Sequence, residues 1–570
     1  MKPPSQSSSS QPSPAAKPSS TVKPWKRQVF SPRIYLGAAG VSFIAVVPFW
    51  IKGQAGNDLD CLIATACFVF GFVNVIKGFF AFEERQYEAA IRKLAGEATD
   101  TDGTAKWATF KDAEKAKMDK NSGLFLGTLE GRPLYYPGET HLLTIAPPGA
   151  GKGTGIIVPT LLNYRGSVIV TDPKGELFAI TARHREKQLG HKIIVLCPWA
   201  EKMSTELGIR IPDHGFNPLS FITPGPDIKD ECELISSLLL PKQAGMKGED
   251  DFWIDGGQTI LTACMLHLAS DTEKHGALTL PRLRQYLHLA PQEMTGLLVD
   301  MSQNMEFGGC IQEYGAALLG TMERSPRQFE GTMGTAQKAL RIYDSASPLG
   351  QHVSQGTLDF KSMKDEPTTV YLVIPSDRSI THAAWLNLVI SLAIESVGRD
   401  RSNRRVLFLL DEMANLGYIP NILRGMAQYR GQGVQIWSII QQISQLEKMY
   451  GKDGWQQFIG TCELVNAFGV WDPETINLLS KWLGQNTVRN YSYNVNPGKL
   501  QDEFSTLAFS TTDKGVSLMR PEDIRTMPPD EQLIFYRNVA PVKAKRVHYY
   551  EHPEWNKLAA PNPYRRNSDL

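Results

Sequence analysis

Two short stretches of the sequence carry residue types suited to phosphate chemistry. The first runs from His141 to Leu162 and reads "HLLTIAPPGAGKGTGIIVPTLL". It is close to the phosphate-binding pattern G-x-x-x-x-G-K-[ST], in which a glycine-rich loop joins a strand to a helix. Two positions depart from the pattern, because Ala146 stands at the first glycine and Gly153 at the magnesium-binding hydroxyl.

The residues around this loop supply the context that the pattern needs. "LLTIA" predicts a buried strand, and "TGIIVPTLLNY" predicts a helix that Pro159 bends. Backbone N–H groups of the loop and the helix N-terminus attract phosphate, and Lys152 is expected against the β- and γ-phosphates. A glycine-rich turn with a solvated lysine is the alternative. The predicted nucleotide contacts are Pro148, Gly149, Ala150, Gly151, Lys152, Gly153 and Thr154.

The two departures from the phosphate-binding pattern differ in their consequences for nucleotide binding. Ala146 is small, and the phosphate cradle depends mainly on later backbone amides. Gly153 removes the usual magnesium ligand, whereas Thr154 offers a hydroxyl one residue further on. A regular helix turns that residue by about 100°. Either the local turn brings Thr154 to the metal or a water takes its place, and the sequence leaves both possibilities open.

The second stretch, "RRVLFLLDEMANLG", is the acidic end of a buried strand. Five apolar residues, Val406 to Leu410, precede Asp411 and Glu412. Asp411 is expected to hold Mg²⁺ directly or through water. Glu412 is expected to polarise the attacking water as a general base. An Asp-Glu pair is common, but one that follows a hydrophobic strand in a chain with a phosphate loop is much less so.

A further strand, predicted over Val434 to Ile440, ends at Gln441. A polar residue at this tip is suited to sensing the γ-phosphate. Arg424 and Arg430 precede the strand, and either could reach a neighbouring subunit as an arginine finger. We take Arg430 as the candidate, with a solvated surface arginine as the alternative. Strands that alternate with helices predict an α/β fold with a mostly parallel sheet.

The N-terminal region predicts a membrane anchor. Residues 1–33 are expected to be disordered and cytoplasmic, because Ser, Pro, Gln and Lys dominate the first 24 residues. Two apolar runs follow, at 34–51 and 61–82, and Lys77 is the one charge they contain. They predict a transmembrane hairpin over 34–82 with a short periplasmic loop at 52–60, and buried core helices are the alternative. Positive residues outside the hairpin place both termini and the bulk of the chain in the cytoplasm.

Charge and cysteine content narrow the possible functional classes of the protein. The formal net charge is +1, so no global basic field indicates a nucleic-acid binder, although a local basic channel is compatible with it. The seven cysteines form no C-x-x-C pair and no histidine cluster accompanies them. This pattern favours buried or membrane-facing thiols in a reducing compartment over a cysteine metal site.

Taken together, the motifs resemble the TraG-like family of type IV secretion coupling proteins, which are RecA-like, FtsK-related P-loop ATPases. The resemblance extends over roughly residues 125–550, and the twin N-terminal spans match as well. It rests on the order and spacing of seven segments: "APPGAGKGTGIIVPTLL", "SVIVTDPKGE", "FNPLSFI", "DDFWIDGGQTIL", "VLFLLDEMANLG", "QQISQL" and "DPETINLLSKWLG".

The resemblance implies a RecA-like nucleotide domain interrupted by an all-α domain and preceded by the two-helix transmembrane anchor. Many members carry a glycine after the phosphate-loop lysine, as at Gly153 here. The bound nucleotide is then expected to be ATP with Mg²⁺. The expected metal ligands are Asp411 and Thr154. The implied domains are a linker at 83–123, nucleotide-binding parts at 124–264 and 351–552, an all-α domain at 265–350 and a tail at 553–570.

The resemblance also implies a function. Members are inner-membrane ATPases of type IV secretion or conjugation systems, which assemble as homo-hexamers around a channel. They recruit DNA–relaxase complexes, with single- or double-stranded DNA, or protein effectors, and pass them to the inner-membrane secretion complex. The expected activity is a DNA-stimulated ATP hydrolase in a lipid bilayer, with Lys152, Glu412, Gln441 and Arg430 as its catalytic residues.

Two other functions remain open on the sequence. An FtsK-like DNA translocase shares the core and the anchor, but usually has more spans and a DNA-reading end domain. The other possibility is a receptor or scaffold that has lost ATP hydrolysis, and Gly153 would then reflect that loss. Nothing in the sequence distinguishes conjugative DNA from protein effectors as cargo.

Overall fold

A computed structural model of the chain describes residues 103–242, 248–496 and 506–564. The predicted disordered N-terminus, the predicted transmembrane hairpin at 34–82 and residues 83–102 of the predicted linker lie outside these residues. Within the described ranges, no helix is long and apolar enough to cross a membrane. Two compact units are distinguished. The larger comprises Ala105–Gly484 and Ser517–Leu570, and the smaller contains Gln485–Val516.

The described residues form thirteen strands, eleven of which make one sheet in the larger unit. In chain order they are β1 (Phe125–Leu129), β2 (Arg132–Tyr135), β3 (His141–Ile145), β4 (Ser167–Asp172), β5 (Lys192–Leu196), β6 (Thr368–Val373), β7 (Val406–Leu410), β8 (Val434–Ile440), β9 (Cys462–Ala467), β10 (Gln485–Asn496), β11 (Thr506–Ser517), β12 (Glu531–Tyr536) and β13 (Val542–Lys545).

The large sheet is mixed, with a parallel part that contains the predicted nucleotide strands. Its order is β2-β1-β13-β12-β9-β3-β8-β7-β4-β6-β5. The strands from β9 to β5 run parallel, whereas β2, β1, β13 and β12 pair antiparallel. Strands β3, β4, β6, β7 and β8 are buried at every position, as expected for parallel strands covered on both faces. The predicted α/β fold with a large parallel sheet is therefore confirmed.

Side-chain alternation along these strands divides the interior into two cores, one on each face of the sheet. Phe408 and Leu410 of β7 belong to one core, and Leu407 and Leu409 belong to the other. The first core continues into the helical segment between β5 and β6, and the second packs beneath the glycine-rich loop.

Helices cover both faces of the sheet. They are α1 (Phe110–Lys115), α2 (Val158–Asn163), α3 (Glu176–Lys187), α4 (Ala200–Leu207), α5 (Ile228–Leu239), α6 (Glu249–Ser270), α7 (Thr272–His275), α8 (Leu280–Leu287), α9 (Pro291–Ser302), α10 (Cys310–Arg324), α11 (Pro326–Ala339), α12 (Pro348–His352), α13 (Ala383–Arg399), α14 (Met413–Leu416), α15 (Pro420–Gln428), α16 (Ser444–Thr461), α17 (Pro473–Leu483), α18 (Pro521–Arg525) and α19 (Pro553–Leu558).

Between β5 and β6 the described residues contain helices and no strand. The helical segment formed by α5 to α12 includes the range 265–350 that was expected to be all-α. The expected boundary at residue 265 falls inside α6, however, because that helix runs unbroken from Glu249 to Ser270. Residues 260–268 of α6 are buried without interruption, which is the pattern of a helix enclosed by its neighbours.

The polar, Pro-Gly-containing sequence at 488–506 predicts a loop, but residues 488–496 and 506 lie in strands, and residues 497–505 are outside the described ranges. Strand β10 extends to Asn496, and β11 begins at Thr506. These two strands pair with each other in a separate two-stranded sheet. Residues with high β-propensity alternate with polar ones along "TVRNYSYNVN", which favours a strand despite the polar composition. Arg489 and Asp513 join the two strands through paired hydrogen bonds of 2.7 and 2.9 Å.

Arg185 fixes the helix that follows the glycine-rich loop. This fully buried side chain of α3 donates to the carbonyl oxygens of Leu161 at 2.6 Å and Tyr164 at 2.9 Å, at the end of α2. It also donates to the Thr369 hydroxyl at 2.7 Å. Burial lowers the pKa of Arg185 to about 10, which still leaves the guanidinium charged at neutral pH. Because carbonyls at a helix C-terminus attract a cation, Arg185 acts as a cap.

We expect Arg185→Lys to lower the free energy of unfolding by about 2–4 kcal/mol, because an ammonium reaches fewer of these acceptors and leaves buried carbonyls unpaired. Arg183→Lys on the same helix is the matched control, since Arg183 is exposed. Denaturant unfolding of the purified variants measures the difference. Equal stabilities for the two variants would contradict the assigned role of Arg185.

Candidate nucleotide site

The order of strands brings the two sequence motifs to one edge of the sheet. Strand β8 lies between β3 and β7, with Ile145 opposite Ile440 and Leu410 opposite Ser438. Parallel strands share a carboxyl edge, so the glycine-rich loop, Gln441 and the Asp411–Glu412 pair all leave the sheet on the same side. Crevices at such edges are where open α/β sheets bind ligands.

Lys152, Asp411, Glu412 and Gln441 form one cluster, which we call the charged cluster. The ammonium of Lys152 lies 3.1 Å from Asp411 Oδ1 and makes an ion pair with Glu412 Oε1, 260 residues away. Gln441 Nε2 donates to Glu412 Oε2 at 2.7 Å. The three charged side chains are less than one fifth exposed. The structure therefore brings together the residues that the sequence selected, and their catalytic roles remain predictions.

The charge states of the cluster follow from its burial. Burial raises the pKa of Asp411, and the nearby Lys152 ammonium opposes that rise. Burial by itself would lower the pKa of Lys152, but Asp411 and Glu412 raise it above the usual value. Lys152 is therefore charged at neutral pH. Carboxylate oxygens suit Mg²⁺, and an ammonium suits phosphate, so the donor set fits a magnesium–triphosphate.

Glu412 occupies an unusual backbone conformation. Its φ of 56° is in the left-handed region, at the junction between β7 and α14. Such a conformation costs a non-glycine residue of order 1–3 kcal/mol and persists only where neighbouring contacts enforce it. Here the Thr171 hydroxyl donates to the Asp411 carbonyl at 3.0 Å, and the Asn415 N–H donates to the Glu412 carbonyl at 2.8 Å.

The glycine-rich loop needs its glycines to different degrees. Gly149 and Gly151 have φ values of 78° and 77°, in the left-handed region. A Cβ on Gly151 would approach Arg546 Nη2 to 2.8 Å, whereas a Cβ on Gly153 would meet nothing within 4 Å. Ala146 is fully buried and still pairs with β8, since its N–H donates to the Ile440 carbonyl at 2.8 Å. This explains why the first glycine of the pattern is dispensable.

The helix after the loop begins irregularly. Gly153–Ile157 is a π-helical turn, and α2 continues from Val158 with Pro159 in its first turn. The rotation of Thr154 expected for a regular helix therefore does not apply. Its hydroxyl lies 2.8 Å from His548 Nδ1 and 3.2 Å from the Gly151 carbonyl oxygen, so it has partners other than the acidic pair. Its part in metal binding stays a prediction.

Sequence reasoning missed the C-terminal segment Arg546–Tyr549, which follows β13 and lies against the loop. Arg546 Nη2 donates to the Gly151 carbonyl at 2.9 Å, and the guanidinium lies 3.9 Å from the centre of the Phe468 ring. The Tyr549 N–H donates to the Thr154 carbonyl at 2.9 Å. Burial lowers the pKa of Arg546 to about 10, so it remains a cation at neutral pH. Only the sheet order reveals this contact, because nearly 400 residues intervene.

Arg430 does not belong to the charged cluster of its own chain. It lies in the 3₁₀ turn Arg430–Gln432, immediately before β8, while Gln441 follows the other end of that strand. Seven strand residues, about 23 Å at 3.3 Å each, separate the two edges. Arg424 is also outside the charged cluster. It lies on α15 and pairs with Glu395 at 3.3 Å. A role for Arg430 at the site of a neighbouring subunit stays a prediction.

The parallel sheet, the glycine-rich loop after β3 and the acidic pair after β7 define a P-loop nucleotide-binding protein. The family model "Type IV secretory system Conjugative DNA transfer" matches residues 106–567, and the chain belongs to this family. Among curated relatives, Protein VirD4 of Rhizobium rhizogenes is 26% identical over 79% of this chain and 65% of its own length. The conjugal transfer protein TraG of Escherichia coli is 25% identical over 80% of this chain and 78% of its own.

Solved structures agree on the fold. The bacterial conjugative coupling protein TrwB, lacking its first 70 residues, superposes with a TM-score of 0.57 at 16% identity, over 77% of this chain and 92% of that one. TrwB has also been solved with ADP and Mg²⁺, and that structure gives a TM-score of 0.57 over 80% of this chain and 97% of the other. The chain spans about two thirds of the length of the VirD4 proteins.

The two loop glycines should respond differently to substitution. We expect Gly151→Ala to weaken ATP binding on the order of 10-fold, because a left-handed alanine costs roughly 1–2 kcal/mol and its Cβ displaces Arg546. We expect Gly153→Ser to change stability by no more than about 0.5 kcal/mol and to lower the Mg²⁺ concentration that ATP binding requires. Titration with a fluorescent ATP analogue at several Mg²⁺ concentrations, with thermal melting, measures both. Equal effects of the two substitutions would contradict this description of the loop.

Proposed function

We propose that this protein is the coupling ATPase of a type IV secretion or conjugation system. The convergence of Lys152, Asp411, Glu412 and Gln441 at the carboxyl edge of a parallel sheet carries the proposal, together with the family membership. The nucleotide is ATP with Mg²⁺, in line with the TrwB structure that contains ADP and Mg²⁺.

Each residue of the charged cluster has a distinct task in ATP hydrolysis. Lys152 holds the β- and γ-phosphates, and the amides of the glycine-rich loop orient them for in-line attack. Asp411 would hold Mg²⁺, which would neutralise charge on the phosphate oxygens when bound. Glu412 accepts a proton from the attacking water, and Gln441 orients its carboxylate.

The same contacts suggest how the general base is controlled. Both oxygens of Glu412 have partners, since Lys152 takes Oε1 and Gln441 takes Oε2. While Oε1 is bound to the ammonium, it is not free to accept a hydrogen bond from the attacking water. When Lys152 moves to a phosphate, Oε1 of Glu412 is released towards water. Nucleotide binding and activation of the base are therefore one event in this mechanism.

We base the proposed setting of the enzyme on the sequence and on the family membership. Two apolar runs at 34–51 and 61–82 would anchor it in the bacterial inner membrane, with both termini cytoplasmic. We propose a homo-hexamer beneath the type IV secretion inner-membrane complex, which receives relaxase-bound DNA or protein effectors. Contact with DNA would be confined to the channel and made through phosphates, because the net charge of the chain is only +1.

We expect Lys152→Ala to abolish ATP binding and turnover. We expect Glu412→Gln to lower the turnover number by about 10²–10⁴-fold while sparing ATP binding, because the amide cannot accept the proton. Phosphate release by the purified protein, measured with and without DNA, and equilibrium ATP binding test both. Normal turnover by Glu412→Gln would refute its role as base. Binding without turnover in the wild type would instead support the hydrolysis-deficient receptor.

Gln441 and Gln442 provide a matched pair for the orientation of Glu412. Gln442 is exposed and donates to the Ser444 hydroxyl at 2.9 Å, away from the charged cluster. Gln441→Ala should reduce ATP turnover on the order of 10-fold, because it removes about one hydrogen bond to a charged group. Gln442→Ala should leave turnover unchanged.

Arg430 is tested by mixing subunits. If it acts on a neighbouring subunit, Arg430→Ala should lower turnover on the order of 10³-fold and leave ATP binding intact. Mixing Arg430→Ala with Lys152→Ala chains should then restore part of the activity, because each supplies what the other lacks. The exposed Arg404 provides the control variant Arg404→Ala. If the mixture shows only the sum of the activities of the two variants, Arg430 does not act at the site of a neighbouring subunit.

A further inference from the structure

Three side chains with metal-ligating chemistry meet in the helical segment, away from the charged cluster. His267 lies on α6, His275 ends α7 and Asp300 lies on α9. One ligand atom from each lies within 4.8 Å of the other two. Both histidines are more than nine-tenths buried, with exposures of 1% and 6%.

The distances in this cluster fit metal coordination better than hydrogen bonding. His267 Nε2 and His275 Nε2 lie 3.4 and 3.6 Å from Asp300 Oδ2. Hydrogen bonds of this type measure about 2.7–3.2 Å, and neither Nε2 atom has a hydrogen-bond partner among the described residues. Two ligands at about 2.05 Å from a tetrahedral Zn²⁺ are about 3.4 Å apart, which is close to both distances.

A hydrogen bond at the other ring nitrogen orients the imidazole of His275, whereas His267 Nδ1 has only the Asn304 amide nitrogen at 3.4 Å, which is longer than a good hydrogen bond. His275 Nδ1 donates a hydrogen bond to the carbonyl oxygen of His267 at 2.8 Å, so in the neutral ring Nε2 of His275 carries the lone pair. A second contact to a backbone carbonyl of this kind is typical of metal-bound histidine. The two rings stack at 4.0 Å with an angle of 23° between their planes, so their lone pairs lie in nearly parallel planes and one ring must turn before both can bind one ion.

Lys274 is the competing cation. Its ammonium lies 3.1 Å from both Asp300 oxygens. The Lys274 side chain is 58% exposed, and exposed ion pairs of this kind contribute little to stability. A divalent cation held by two imidazoles and the carboxylate can displace it into solvent without leaving a buried charge.

We propose that His267 Nε2, His275 Nε2 and Asp300 Oδ2 form a binding site for Zn²⁺ or a similar divalent transition metal, with water as the fourth ligand. Two imidazoles and one carboxylate are a ligand set that zinc accepts, and Mg²⁺ and Ca²⁺ disfavour. The metal would fasten the α6–α7 turn to α9 and stiffen the helical segment. This site is independent of the nucleotide site and does not rest on the proposed ATPase activity.

The test is metal binding by the full-length, untagged protein after treatment with a chelator. Titration with Co²⁺, followed by its visible absorption, and with Zn²⁺, followed by calorimetry, gives the number of ions per chain. We expect Asp300→Asn and His275→Gln to bind one ion per chain fewer than wild type, or to bind it at least about 100-fold more weakly. Zn²⁺ should also raise the melting temperature of the wild type but not of these variants.

His288→Gln is the matched control, because His288 is an exposed histidine in the same helical segment. It should bind metal as the wild type does. Asp300 is partly exposed, so Asp300→Asn is expected to fold even if a change at a buried histidine does not. The proposal fails if wild-type protein binds no Zn²⁺ or Co²⁺, or if both variants bind as many ions as tightly as wild type.

Discussion

The ammonium of Lys152 lies between two carboxylates from a distant part of the sequence, and the arrangement of the site depends on this ion cluster. Isolated charges at this depth would each cost several kcal/mol, so the three are tolerated only because they compensate one another and reach some solvent. Their meeting requires β8 to lie between β3 and β7 in the observed register. Sheet order and local charge are therefore linked, because the strand order brings the ammonium to the two carboxylates.

The second half of the chain also supports the loop from its other side. A loop with two left-handed glycines has little intrinsic preference for one conformation. Arg546 restricts it by binding the Gly151 carbonyl, while the Phe468 ring lies against the guanidinium. Because β13 ends one residue before Arg546, the antiparallel edge of the sheet positions this support. The glycine-rich loop is thus shaped by residues that follow β9 and β13 as well as by its own sequence.

The sequence was sufficient where patterns are local, and insufficient where they are not. A continuous apolar run predicted β7 and a mostly apolar one predicted β8. Their polar ends identified Asp411, Glu412 and Gln441, because parallel strands share one edge. The support from Arg546 could not be predicted, since only the strand order brings that segment to the loop. The β10–β11 sheet was missed because polar composition outweighed β-propensity. His267, His275 and Asp300 lack metal-motif spacing and meet only through the packing of three helices.

The missing hydroxyl at Gly153 matters less in this structure than the motif suggests. The π-helical turn at Gly153–Ile157 already departs from the helix start that the motif assumes, and the Thr154 hydroxyl is hydrogen-bonded at His548. For the proposed activity, Mg²⁺ would then depend on Asp411, phosphate oxygens and water. This is an ordinary set for Mg²⁺, which dehydrates reluctantly and usually keeps several waters. A weaker metal shell makes phosphate contacts more important, and Lys152 is the residue that provides them.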